Sequence, residues 1–255
     1  MALNKAKIFT ITSVKGGVGK TTTVLNLAGM YSKMDKNVLI IDLDLYCGDV
    51  IASLNIPYEN DIYNLFEDIN NKKFNSFEDY VTKYNDNISV LPCPKDPRNG
   101  RKIKGKILEL ILYKASLKYD IILLDTNHIL TDINLFAYDN CDKIIYILNN
   151  DTMNLKSMKT FVSLLNDMNK TNYKIILNQS INKSRTYYDK YDIKNIINKS
   201  LNYIIPSSFY IKNIDKYILD GKILTLDKKI ASNHKTTMKI YELIASDLIT
   251  ESKVL

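Results

Sequence analysis

Close to its N-terminus the chain passes from a short apolar run, Ile8-Phe9-Thr10-Ile11, into Ser13-Val14-Lys15-Gly16-Gly17-Val18-Gly19-Lys20-Thr21-Thr22. A stretch with helical spacing follows, Thr22-Val24-Leu25-Leu27-Ala28. Strand, glycine-rich turn and helix are the parts of a phosphate cradle. The glycines let backbone N–H groups close on an anion, and the helix N-terminus adds partial positive charge. Lys20 is placed to reach β- and γ-phosphates, and the Thr21 hydroxyl to meet Mg²⁺. The spacing differs from G-x-x-x-x-G-K-[ST], whose first glycine would fall on Val14, and an additional lysine, Lys15, opens the loop. A glycine turn with incidental lysines accounts poorly for all of these together. The segment predicts nucleoside triphosphate binding.

Downstream, apolar runs alternate with amphipathic stretches, which predicts an α/β fold: a doubly wound, mostly parallel sheet flanked by helices. Expected strands are Ala6–Thr12, Asn37–Leu43, Ile88–Leu91, Tyr119–Asp125, Lys143–Leu148, Tyr173–Leu177 and Asn202–Ile205. Runs such as Ile121-Ile122-Leu123-Leu124 are continuously apolar, as a parallel strand covered on both faces requires. Expected helices are Thr22–Lys33, Asp61–Asp68, Phe77–Lys83, Lys104–Leu117, Asn154–Met168, Lys190–Lys199, Ser208–Leu219 and Thr236–Leu248. With no Gly/Ser linker and no repeat, residues 1–255 read as one domain.

Composition narrows the classes. Cys47, Cys93 and Cys141 form no C-x-x-C or metal-type spacing, which argues against a disulfide framework and a zinc site and fits a reducing cytosol. His128 and His234 have no ligand-spaced partner. No apolar run approaches the roughly 18 to 20 residues of a membrane span. The N-terminus enters the first strand at once, so no signal peptide and a cytoplasmic location are expected. The abundance of Asn, Lys, Ile and Tyr reads as coding bias. The formal net charge is +7, and from Gln179 onward 13 Lys/Arg face 8 Asp/Glu. A second basic cluster holds Lys95, Arg98, Arg101, Lys102, Lys104 and Lys106. Such clusters fit nucleic-acid backbone or an acidic partner, and equally a solvated lysine-rich surface.

Two further segments carry chemistry. In Val38-Leu39-Ile40-Ile41-Asp42-Leu43-Asp44, two carboxylates close a strand, and at least one must point into the crevice beside the phosphate loop. In Tyr119-Asp120-Ile121-Ile122-Leu123-Leu124-Asp125-Thr126, an apolar strand ends in Asp125, the form of a Walker B strand. Asp125 is expected to hold Mg²⁺ through a water, because Mg²⁺ dehydrates reluctantly.

The string K-G-G-V-G-K-T-T resembles the deviant Walker A motif of the MinD/ParA group of P-loop ATPases. The resemblance implies ATP and Mg²⁺ as ligands and an ATP-sandwiched homodimer in which Lys15 reaches the partner's nucleotide. ATP should then favour dimer and ADP monomer. It makes Lys15, Lys20 and Asp44 the catalytic candidates, with Asp44 orienting the attacking water. Gly16, Gly17, Val18, Gly19, Lys20, Thr21 and Thr22 would bind phosphates, and Thr21, Asp42 and Asp125 would surround the metal. Asn178 resembles the family's base-reading asparagine, and Pro206 and Ser207 the segment that passes along the base. The family's Asp after that segment is Ser208 here. After Asp125 the family holds Pro or Gly, whereas this chain has Thr126-Asn127-His128-Ile129. For His128 a structural or partner-contact role is expected.

The string D-L-D-L-x-x-G-D-V at Asp42–Val50 and V-L-P-x-P at Val90–Pro94 are similar to the CpaE/TadZ branch, which positions pilus-assembly machinery at the cell pole. That implies slow, partner-stimulated ATP hydrolysis and a protein partner. ParA-type partition ATPases, which bind nonspecific DNA on the nucleoid, are the alternative, though the Pro-Gln they carry after the second aspartate is missing. Metallocentre relatives place paired cysteines at the dimer interface, and tyrosine autokinases carry a tyrosine-rich tail. This chain has neither. Met238, Tyr241, Ile244, Ala245 and Leu248 form a stripe expected to pack on the sheet. The tail Thr250–Leu255 is too short and weakly basic to serve as the amphipathic membrane anchor of MinD proteins.

Overall fold

The computed structural model describes residues 6–181 and 187–250. Its apolar runs become strands β1 (Lys7–Thr12), β2 (Val38–Asp42), β4 (Ile88–Leu91), β5 (Ile121–Asp125), β6 (Lys143–Leu148), β7 (Tyr173–Asn178) and β8 (Tyr203–Ile205). A two-residue strand, β3 (Thr82–Lys83), adds an edge. They form one eight-stranded sheet in the order β3-β4-β2-β5-β1-β6-β7-β8, parallel except for the β3–β4 pair.

Alternate residues of each strand feed opposite faces, as the period of two demands. Leu39, Ile41, Ile122 and Leu124 join one apolar layer. Val38, Ile40 and Leu123 join the other. Helices α4 (Ile107–Ser116), α5 (Asp132–Asp139) and α6 (Thr152–Asp167) cover the first layer. Helices α1 (Lys20–Lys33) and α10 (Lys235–Thr250) cover the second. The stripe on α10 packs as its spacing predicts: Tyr241, Ile244, Ala245 and Leu248 are buried, and Asn26 of α1 donates to the Tyr241 hydroxyl at 3.4 Å. The tail after Thr250 lies outside the described residues.

The remaining helices are α2 (Val50–Leu54), α3 (Ile62–Asn70), α7 (Lys190–Ile197), α8 (Ile214–Leu219) and α9 (Lys228–Asn233). Two expected helices are corrected. Phe77–Tyr80 makes one 3-10 turn and the chain then extends into β3, because Phe77 and Tyr80 are already buried three residues apart. In Ser208–Leu219 a 3-10 turn at Ser207–Phe209 precedes the helix, which starts only at Ile214. Among the described residues no helix is long and apolar enough to cross a membrane.

From β1 the chain winds one way to β2 and β4, and later the other way through β6, β7 and β8. The reversal opens a crevice at the carboxyl ends of β1, β5 and β2, where ligands of open parallel sheets bind. The glycine-rich loop lies there, between β1 and α1.

Candidate nucleotide site

The loop takes its shape from its glycines. Gly17 and Gly19 have φ of 72° and 85°, a left-handed region that other residues enter at a penalty. At Gly19 a Cβ would also stand 2.6 Å from the Asn178 Nδ2. Asn178, at the end of β7, donates from that nitrogen to the Val18 carbonyl at 3.0 Å. Its Oδ1 accepts from the Ser180 amide at 3.0 Å and hydroxyl at 2.7 Å. The next-but-one strand therefore braces the loop from behind. The Ser13 hydroxyl donates to the Lys15 carbonyl at 2.5 Å and pins the loop's entry.

At the first turn of α1 the Thr21 hydroxyl donates to Asp125 Oδ2 at 2.7 Å. The other Asp125 oxygen is buried and has no partner. Burial pushes the Asp125 carboxyl up to about 7, while the Thr21 hydrogen bond and the Lys20 charge pull it back. Asp42 is its neighbour in the sheet register. Burial, and then the charge of Asp125, push Asp42 well above the usual carboxylate range. Its oxygens accept from the Asp44 amide at 3.1 Å and the Val50 amide at 3.2 Å. Asp44 is half-buried on the cleft wall, where its carboxylate accepts from the Cys47 amide at 3.3 Å.

These groups bound a cleft of about 680 Å³, a size that suits a nucleotide-sized ligand. Its lining includes Gly16, Lys20, Thr21, Asp44, Asp125 and His128. Asn178, Ser180 and Ile181 line it too, with Phe209 and Tyr210 from the segment after β8. Charged groups and apolar ones in one cleft suit a polyphosphate joined to a base. The donor set also fits Mg²⁺: an unpartnered buried carboxylate oxygen beside a threonine hydroxyl leaves most positions to water and phosphate. Among the described residues no group of three or more His, Cys, Asp or Glu forms an all-protein cage.

A family model described as an AAA domain, AAA_31, matches residues 6–180, which includes the loop, both aspartate segments and the bracing Asn178. The chain belongs to this family. It is a P-loop ATPase of the MinD/ParA type. The MinD cell division protein in a MinC:MinD complex of Aquifex aeolicus is 25% identical, with 98% of each chain covered and a TM-score of 0.73. A ParA-family ATPase of Chlorobium tepidum superposes with a TM-score of 0.80 over 95% of this chain and 98% of that one, at 17% identity, and so shares the fold. The chromosome-partitioning ATPase Soj of Thermus thermophilus is 28% identical over 55% of this chain and 54% of its own length.

In this P-loop ATPase, Gly16, Gly17, Gly19, Lys20, Thr21, Thr22, Asp44, Asp125 and Asn178 line one cleft. Val18 is buried beneath the loop with its carbonyl held by Asn178. Asp42 lies under the cleft floor, both oxygens turned to backbone amides, and is not on the wall. Lys15 is half-buried and outside the lining. Pro206 and Ser207 are outside it too, and Phe209 and Tyr210 take the place along that edge. The sequence reading did not single out these two aromatics, since only the tight turn at Ser207–Phe209 swings them inward.

The basic cluster is partly spent on local contacts. Lys95 donates to the Glu59 carbonyl at 2.8 Å and stands over the Tyr58 ring. Arg98 pairs with Asp96 at 2.7 Å and pulls that carboxyl down to about 2. Lys102 donates to Asn99 at 2.8 Å.

Proposed function

We propose that this ATPase is a nucleotide switch: it binds ATP and Mg²⁺, closes as a homodimer, and in that state positions or recruits a cellular assembly through a protein partner. The single observation that carries the reading is the Thr21–Asp125 hydrogen bond beside an unpartnered, buried carboxylate oxygen. It links the helix that would hold phosphate to the strand end that would hold the metal's water shell.

Lys20 and the loop amides bind and orient the triphosphate. Bound Mg²⁺ supplies neutralisation of the phosphate charge. Asp44 lines the same cleft and orients the attacking water, its backbone fixed by the buried Asp42 two residues earlier. Lys15 lies outside the cleft of its own chain, which supports a role on the partner's phosphates. Exposed apolar side chains flank both loops of the cleft, Tyr46 on one and Ile129 and Leu130 on the other, and a closing dimer would cover them. The D-L-D-L-x-x-G-D-V string supports a CpaE/TadZ-like role at a cell pole, with slow, partner-stimulated turnover.

The net charge of +7 favours a second reading, a ParA-type partition ATPase that binds nonspecific DNA on the nucleoid. The local contacts of Lys95, Arg98 and Lys102 weaken it. Sedimentation velocity with ATP or ADP tests the switch. Wild-type protein should dimerise with ATP alone, and Lys15→Ala should bind ATP yet stay monomeric. A Lys15→Ala dimer identical to wild type would remove the cross-subunit role. DNA binding by Asp44→Ala protein with ATP, falling steeply with salt, would move the reading to partition. Its absence beside a normal dimer favours protein recruitment.

A further inference from the structure

His128 stands three residues past Asp125, where the family pattern would place Pro or Gly. The structure brings it into the lining of the same cleft as Gly16, Lys20, Asp44 and Asp125. Its ring edge, Cε1 and Nδ1, lies 3.7 Å from where a Cβ on Gly16 would be. The imidazole therefore closes over the loop at its bare first glycine.

This placement is built. Asn127, just before His128, is buried, and its Oδ1 accepts from the Ile129 amide at 3.0 Å and from Asn134 Nδ2 at 2.7 Å. The same Asn134 nitrogen donates to the Ile129 carbonyl at 2.7 Å. Asn134 sits fully buried on α5. A side-chain clasp thus holds the backbone on both sides of His128, doing in this chain what a rigid proline would do elsewhere. The ring itself takes no hydrogen bond from the described residues. It is an exposed donor on an anchored turn, in the lining of the cleft that holds Lys20, Thr21 and Asp125.

We propose that His128 contacts the terminal phosphate and makes the site prefer ATP to ADP. An imidazole N–H donating to a phosphate oxygen is a charge-assisted bond, among the stronger side-chain contacts available in a half-open cleft. ADP lacks the group that this donor meets, so the contact discriminates between loaded and spent nucleotide.

The inference rests on the nucleotide-switch reading, and equilibrium binding separates the two. Affinities of the full chain for a non-hydrolysable ATP analogue and for ADP are measured with Mg²⁺ for wild type, His128→Ala, His128→Gln and Lys20→Ala. His128→Ala should weaken the ATP analogue about tenfold and leave ADP nearly unchanged, and His128→Gln, which keeps a donor, should recover part of the loss. Lys20→Ala should weaken both nucleotides. An unchanged ratio of affinities in His128→Ala, or an equal loss for both nucleotides, would overturn the phosphate contact while the switch reading stands. A wild-type protein that binds neither nucleotide would overturn both.

Discussion

The loops after β2 and β5 leave neighbouring strands at the same sheet edge, and they are anchored by opposite chemistry. After β2 the anchor is a buried carboxylate. Asp42 gathers the amides of Asp44 and Val50, and the chain can fold that tightly only because a Cβ on Gly48 would fall 2.4 Å from its Oδ2. After β5 the anchor is neutral. Thr126 donates to the Ile11 carbonyl at 3.0 Å, and Asn127 is clasped by Asn134. The lesson is about what each loop can sense. The carboxylate pair Asp42–Asp125 ties one part of the site to protons, metal and nearby positive charge. The amide clasp is indifferent to all three and serves only to aim His128.

The largest expected effect follows from the charged anchor. A carboxyl whose folded pKa is raised keeps its proton longer than the unfolded chain does. Its relative stability is full below the unfolded value near 3.8 and is lost as pH rises through about 7. The nucleotide-free, metal-free protein should therefore lose stability as pH rises from about 4 through 7, and Asp42, also raised, adds to that loss. The span from 3.8 to about 7 corresponds to about 4 kcal/mol as an upper figure. Asp125→Asn, which retains an acceptor for Thr21, should stabilise the free protein at pH 8 by a large part of that and make the profile shallower, the buried Asp42 keeping the remainder. It should also abolish the stabilisation that Mg²⁺ and ATP give the wild type. Urea melts at pH 5 and pH 8 read both. A free Asp125→Asn protein no more stable than wild type at pH 8 would mean that the carboxylate is not strained.

Asp44 sharpens the contrast within its own loop, since it is half-buried on the wall above the fully buried Asp42. Asp44→Ala should lower turnover by roughly a hundredfold, about 2.7 kcal/mol in the barrier, while ATP affinity stays near wild type. Its stability should barely move, because only the bond from the Cys47 amide is lost. Single-turnover phosphate release with a parallel binding titration measures both. A loss of binding equal to the loss of rate would make Asp44 a ligand contact and not a water-orienting group.

Much of the frame was legible because burial on both faces leaves a continuous apolar run, as at Ile121–Leu124 and Ile144–Leu148. β3 was not, since two residues, Thr82 and Lys83, carry no period, and their pairing with Ser89 and Val90 is tertiary. Helices α2, α5 and α9 escaped for a related reason: each is short, and α5 is recognisable mainly by Thr131, whose hydroxyl accepts from the Asn134 amide. In the site, the glycines, Lys20, Thr21 and Asp125 announce themselves through spacing. The division of labour between Asp42 and Asp44 does not, because it depends on which carboxylate the Gly48 turn covers. Least legible was the Asn127–Asn134 clasp. Asparagine is common throughout this chain, and nothing in either residue's neighbours marks the pair.

The clasp gives the smallest and most discriminating test. Asn134→Ala removes the donor from Asn127 Oδ1 and from the Ile129 carbonyl, in a position with no access to water. Each acceptor keeps one donor, the Ile129 amide for Asn127 Oδ1 and the Thr131 amide for the Ile129 carbonyl, so the loss should be that of ordinary hydrogen bonds, roughly 1 kcal/mol. No ionisable group takes part, so the loss should be the same at pH 5 and pH 8, unlike the effect of Asp125→Asn. The variant should also lower ATP preference toward that of His128→Ala, because the ring would no longer be held above Gly16. Urea melts at the two pH values decide the first point. A destabilisation that grows with pH would tie the clasp to the neighbouring carboxylates and erase the distinction between the two anchors.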